Sequence, residues 1–305
     1  KGNTRIIMKI LTSGCSFTNC GMSWPYHIRD HEVHNMGTVG AGNSYISRAI
    51  IYECDRLLSS GIRSNEIYPI VMWSGIDRFE FLSTSENPLH DDYTSGDKNR
   101  WWLSNYVKNI DDSIWLKSSI PDQQWENVAT NELMKTYWKY LYDRQQSFLL
   151  TLESILKVQN YFKLNGFDYK LSCWQNIFNH YNFTIPNGFN RQGDTLSANE
   201  MWTMTWLDNT HWKNNRYWPK EINYPISKGT PLLKDLYKQT THLWDMIDFD
   251  KFWFYEDEQV EYGGLAEWVL LSERDNWGME HDPAHPSEYS HEKFTNKIVK
   301  GWIDA

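Results

Sequence analysis

The sequence predicts an α/β fold of three layers, α/β/α, built on a parallel sheet. Two observations predict it. Short β-branched and apolar runs recur at 5–12, 68–73 and 169–174. Between and after them lie stretches whose apolar residues have helical spacing. A run that is apolar at consecutive positions is covered on both faces, and its alternation with helices marks a parallel sheet.

Residues 5–12 read as the first buried strand and break at Ser13-Gly14. Asn43 is expected to cap a helix running to about Ser60, with Ile46, Ile50, Cys54 and Leu57 on one face and Gly61 as the stop. Tyr68 to Trp73 is a second buried strand, ending at Ser74-Gly75. A long amphipathic helix follows over about 132–164, with Leu141, Phe148, Leu152, Ile155 and Phe162 as its inner stripe and Asn165-Gly166 as its end. Tyr169 to Trp174 is another strand, and Phe294, Ile298 and Trp302 mark a final helix that begins after Ser287. All 305 residues read as one domain with two aromatic-rich insertions, at about 83–130 and 178–240. Open α/β sheets bind ligands at the carboxyl ends of their strands, so insertions placed after strands would crowd a site and shape its specificity. Ornamental or partner-binding loops are the other reading of these segments.

Composition narrows the function classes. A net charge of -9 argues against a broad nucleic-acid-binding face. The one basic and aromatic stretch, Lys213 to Lys220, is short and reads as a solvated loop. No apolar run approaches the roughly 18 residues of a membrane helix. The start lacks the apolar core and cleavage site of a signal peptide, and Met8 reads as a natural start. No phosphate-binding glycine loop is present, so nucleotide chemistry is not expected. The four cysteines show no CxxC spacing, and Cys15 and Cys173 read as buried thiols. His27, His31 and His34 have near-helical spacing, and His281 and His285 are four apart, as in some zinc sites. Pro25, Asp30 and Glu32 instead place the first group in a solvated loop or short helix, so neither metal nor cofactor is expected. Aromatic residues reach 16%, with 17 Trp and 18 Tyr, which is more than a core needs. Some of these rings are therefore expected to line a surface or groove.

The residues that could carry chemistry lie near the two ends. Gly14-Cys15-Ser16-Phe17-Thr18 follows the first strand, so the Ser16 hydroxyl stands at a strand's carboxyl end near backbone N–H groups that can hold an oxyanion. Asp282-Pro283-Ala284-His285 supplies an acid and a base three residues apart. The acid can fix one imidazole nitrogen while the other takes the serine proton. Cys15 is a poorer nucleophile candidate, because its side chain follows the strand.

Taken together, these segments resemble the SGNH (GDSL-like) hydrolases, which have a flavodoxin-like sheet. Gly14-Cys15-Ser16-Phe17-Thr18 looks like the first block of that family, and Asp282-Pro283-Ala284-His285-Pro286 resembles the last. Asn35-Met36-Gly37-Thr38-Val39-Gly40 is similar to the second block, whose glycine donates to the oxyanion; Gly40 takes that role here, with Gly42 its competitor. The resemblance implies Ser16 as nucleophile, His285 as base and Asp282 as its orienting acid. The third block departs from the pattern. The strand ends Met72-Trp73-Ser74-Gly75-Ile76-Asp77-Arg78, and Ile76 stands where the family has a donor Asn. Ser74, Gly75 or Asn43 could substitute for it. The resemblance implies a serine esterase that removes an acyl group, most plausibly from a glycan, whose sugars the surplus Trp and Tyr would stack on. The Gly-Cys-Ser-Phe-Thr and Trp-Ser-Gly-Ile-Asp-Arg segments also look like SGNH-like proteins of bacteriophages. A non-catalytic module of a phage particle, with phage structural proteins as partners, is therefore the rival reading. Location follows the same division, cytoplasm or phage particle.

Overall fold

A computed structural model of the chain describes residues 7–19, 22–83, 106–108, 114–118, 140–179, 227–272, 277–279 and 282–304; at 79–83, 106–108, 114–118, 277–279 and 282–284 it describes the backbone alone. The strands are β1 (Lys9–Ser13), β2 (Glu32–Asn35), β3 (Ile67–Trp73), β4 (Phe79–Ser83), β5 (Tyr106–Lys108), β6 (Ile114–Ser118), β7 (Lys170–Cys173), β8 (Trp277–Met279) and β9 (Asp282–Pro286). The helices used below are α1 (Ser16–Asn19), α2 (Asn43–Ser59), α3 (Arg144–Asn165), α4 (Leu265–Ser272) and α5 (Glu288–Phe294).

Strands β2, β1, β3 and β7 pair in that order, every pair parallel. This is the expected α/β/α sheet, in the 2-1-3-4 order of flavodoxin-like folds. Phe252 extends it by one parallel bridge to Leu171, beyond β7. Period-two alternation divides the core between the two faces. Leu11, Val71, Trp73, Leu171 and Cys173 pack with α2 and α3, whereas Ile10, Tyr68, Ile70 and Met72 pack with α4 and α5. That is why strands apolar at every position occur here.

Helix α2 ends where expected, with Ser60 as the last capping residue and Gly61 at φ 91°. Its start differs from expectation. Gly42 is the N-cap, and Asn43 is the first helical residue, with its amide used elsewhere. Helix α3 also starts later than about 132, because the Asp143 carboxylate accepts from Gln146 N at 2.8 Å and caps the helix there. Leu141 lies before that cap and is exposed, so it is not on the inner stripe. Phe148, Leu152, Ile155 and Phe162 are fully buried, each stabilising the fold by roughly 1.5–3 kcal/mol. Gly166 closes the helix in the left-handed region at φ 69°. Residues 132–139 lie outside the described ones.

The first expected insertion contains strands that its weak periodicity did not reveal. β4, β6 and β5 form an antiparallel sheet in that order. Runs of three to five residues are too short for alternation to stand out. Of the second, 180–226 lies outside the described residues. Its flanks meet: Asn179 Nδ2 donates to Ser227 O at 3.1 Å, and Asn179 bridges Leu232. Part of the aromatic surplus is core after all. Trp244, Phe249, Phe252, Phe254 and Tyr262 surround Phe178 with ring centroids 5.1–6.0 Å away. Among the described residues, no helix is long and apolar enough to cross a membrane.

Candidate active site

The site is built on the carboxyl edge of the sheet. After β1 the chain turns at Gly14, where a Cβ would lie 2.1 Å from Thr18 Oγ1 and 3.0 Å from Met72 O. Only glycine fits so close to both. The turn closes with Thr18 N donating to Cys15 O at 2.9 Å and passes into α1. Ser16 is the first residue of α1, so the helix itself cannot satisfy its backbone N–H. Its side chain is 4% exposed. Cys15 is buried against the α4 and α5 face, and Cys173 is buried too. Burial, with the nearby Glu267 charge, holds the Cys173 thiol well above its ordinary range.

The loop after β2 is fastened to this turn by Asn35, a role the sequence did not disclose. Its Oδ1 accepts from Thr12 Oγ1 at 3.0 Å and Gly37 N at 2.9 Å, and its Nδ2 donates to Thr18 O at 2.8 Å. Thr38 N donates to Gly14 O at 2.9 Å. A Cβ at Gly37 would come within 3.0 Å of Thr18. These ties hold the Gly40 loop beside the Ser16 turn. Gly40 has φ 72°, a backbone conformation that favours glycine, and is half-buried. Gly42 is buried and leads into α2.

After β3, Ser74 and Gly75 occupy the equivalent edge position, both buried. Asn43 clamps Ser74 from across the loop. Its Oδ1 accepts from Ser74 N at 2.7 Å, while its Nδ2 donates to Ser74 O at 3.0 Å and Thr151 Oγ1 at 3.1 Å. Both amide hydrogens are therefore committed, and neither is available to an oxyanion. Ile76 packs into the core beneath α2 and α3. Its side chain serves packing where the family pattern has a donor. Ser74 Oγ is buried with no hydrogen-bond partner among the described residues. Asp77 accepts a short hydrogen bond from Tyr142 Oη. Arg78, not singled out from the sequence as a site residue, lies with its guanidinium 5.5 Å above the Trp174 ring, just past β7.

The far end of the chain reaches the same edge. β9 pairs antiparallel with β8, and lies against α1. The His285 ring is half-buried, 5.0 Å from that of Phe17, the residue after Ser16. Phe17 in turn packs on Trp174 at 4.4 Å. Asp282 opens β9, and its side chain lies outside the described residues. Ser287 then caps α5 by accepting from Ser290 N. On that helix His291 is fully buried, with both ring nitrogens lacking a hydrogen-bond partner among the described residues. Burial, then the charges of His285 and His27, push its pKa down from 6.5 to about 3. It therefore stays neutral.

The remaining histidines do not converge. His27 lies on the short 3-10 helix Trp24–His27, one of the two forms expected there, but is buried, not solvated, and bonds Met22 O at 2.9 Å. His31 Nδ1 accepts from Met8 N, and His34 lies between Glu53 and Glu32, 2.7 Å from each. Among the described residues, no group of three or more His, Cys, Asp and Glu is placed to hold a metal ion. His281 lies outside the described residues.

Comparison with known proteins gives a distant likeness. No protein-family model matches the chain, and no curated protein matches it. A similar solved structure is that of protein YxiM from Bacillus subtilis, at 14% identity and a TM-score of 0.36. The match covers 98% of this chain and 56% of YxiM, so the chain spans little more than half the length of that protein.

Proposed function

We propose that the chain is a serine esterase of the SGNH type, removing an acyl group from a glycan or similar ester. The observation that carries this reading is the meeting of the two chain ends, with β9 against α1 and the His285 ring 5.0 Å from Phe17. Ser16 Oγ attacks the ester carbonyl carbon as His285 takes its proton. Asp282 holds the imidazole in the required tautomer and balances the imidazolium. The N–H groups of Ser16 and Gly40 receive the oxyanion. Collapse expels the alcohol, which takes the proton from His285, and leaves an acyl-serine. Water, deprotonated by His285, then releases the acid and restores Ser16. With Ile76 in the core and Asn43 committed to Ser74, two backbone donors serve where the family pattern has three groups. Loss of one such donor costs about 10²–10³ in rate, so slow turnover is expected.

The test is hydrolysis of p-nitrophenyl acetate by the parent chain and by Ser16→Ala, together with labelling by a fluorophosphonate and mapping of the adduct. Turnover abolished in the variant, with the adduct on Ser16, supports the reading. Equal background rates and no adduct refute it. The buried Ile76 favours one second reading, a binding module that keeps the fold without catalysis. Such a module would keep its ligand affinity in Ser16→Ala.

A further inference from the structure

Arg78 stands out among the residues around the candidate site. It ends the turn that follows β3, where Arg78 N donates to Gly75 O at 3.3 Å. Its guanidinium lies 5.5 Å over the Trp174 ring, and Trp174 packs at 4.4 Å on Phe17. Phe17 also packs on the His285 ring at 5.0 Å. The cation is thus separated from the candidate base by two aromatic rings in tilted contact, Trp174 and Phe17, on the same edge of the sheet. Its Nε and Nη1 are buried without a hydrogen-bond partner, and it makes no ion pair with a carboxylate among the described residues. A guanidinium drawn out of water with unused N–H groups is costly to keep. Its planar fork matches the geometry of a carboxylate or phosphate. The chain as a whole is acidic, at -9, so its net charge does not draw an anion here and recognition falls to the local guanidinium.

We propose that Arg78 is the anion-recognising residue of this site, and that its substrates carry a carboxylate or phosphate group beside the scissile ester. The inference rests on the esterase reading for its substrate, and on the geometry around Arg78 for its ligand. Trp174 positions the guanidinium through the cation–π contact. Binding of the anion orients the ester toward Ser16 and takes no part in bond making.

Two measurements on the full chain test it. The first uses Ser16→Ala, which cannot turn over the probes. The Arg78 Nε–H resonance, assigned by its disappearance in Arg78→Lys, is followed during titration with 4-acetoxybenzoate, 4-acetoxyphenyl phosphate and phenyl acetate. A saturable shift with either anion and none with phenyl acetate is expected, and the tighter anion identifies the group. No shift with either anion, or the same shift with phenyl acetate, overturns the inference. The second measures kcat/KM of Arg78→Gln and Arg78→Lys on the same esters. Hydrogen bonds to charged groups predict that the preference for the preferred anion over phenyl acetate falls by about 10–100-fold. The lysine variant recovers only part, because it lacks the fork. Equal loss on the neutral and charged esters overturns the anion assignment and makes Arg78 a general contributor to the reaction. Anion binding without hydrolysis of any ester would sink the esterase reading and leave the Arg78 inference standing. Hydrolysis with unchanged preference in Arg78→Gln would do the reverse.

Discussion

Replacing Asn43 by alanine separates two roles for a residue whose type suggests catalysis. In the structure its side chain makes three hydrogen bonds, two to the backbone of Ser74 and one to Thr151 Oγ1. Ser74 is 0% exposed and Thr151 2%, so water cannot readily replace the lost partners. A buried group left unsatisfied costs about 1–3 kcal/mol. The Thr151 hydroxyl can rotate, so the two Ser74 backbone groups dominate, and with the small void the loss is about 3–5 kcal/mol. An unfolding entropy of roughly 2.1 cal/mol/K per residue gives about 0.6 kcal/mol/K for 305 residues. Tm should therefore fall by about 5–8 °C, read by differential scanning calorimetry or circular dichroism. An oxyanion donor would behave differently, losing about 10²–10³ in kcat with little change in Tm. A Tm within about 1 °C of the parent would refute the clamp reasoning.

The other predictions concern the turn, α4 and α5. Gly14→Ala drives a Cβ to 2.1 Å from Thr18 Oγ1 and should cost about 1–3 kcal/mol in urea unfolding. Part of that loss should return in the double variant with Thr18→Ala, although the Cβ at 18, 2.9 Å away, and Met72 O, 3.0 Å away, remain. Glu267→Gln should cost about 1–3 kcal/mol, because Glu267 Oε1 accepts from Asn176 N and Oε2 from Gly264 N, each at 2.8 Å, and one acceptor becomes a donor facing an N–H. His291 adds a pH dependence. Its folded pKa is depressed to about 3, so between 6.5 and that value the unfolded chain binds a proton that the folded chain does not. Its contribution is therefore complete above the unfolded pKa and is lost as pH falls, by up to about 1.4 kcal/mol per pH unit. The stability of His291→Phe, measured across the same window, should lack this slope.

Much of the sheet was legible because its signals are local. Strands buried on both faces are apolar at consecutive residues, as in Ile70, Val71 and Met72. Gly61 and Gly166 mark the ends of α2 and α3 through their backbone conformation, which no partner has to supply. What escaped the sequence was tertiary. Asn43 stands where a capping residue would be expected, but its best partner lies across the loop at Ser74, and a buried pair of backbone bonds outweighs an exposed cap. Asn35 could be placed in a block, yet its three bonds depend on a turn formed by another strand. Arg78 becomes notable only once β7 brings Trp174 beside it. The start of α3 was a local signal that lost to a longer apolar pattern, since Asp143 is an ordinary N-cap in plain view.

The unpartnered buried polar atoms argue for where function lies. Thr18 Oγ1, Ser74 Oγ and Arg78 Nε lack hydrogen-bond partners among the described residues, and all three follow β1 or β3 at the carboxyl edge. In the same region Asn35 and Asn43 each make two hydrogen bonds to backbone and one to a threonine hydroxyl. Fixed main chain beside unpartnered polar side chains is the arrangement that the proposed site requires, with ligand atoms left to complete the pairing. His291, with both ring nitrogens unpartnered among the described residues, lies on α5 next to β9 and is coupled to His285 through charge. Protonating it would raise the cost of an imidazolium at His285. Its neutrality in the folded chain therefore favours the proton transfer that the proposed mechanism asks of that residue.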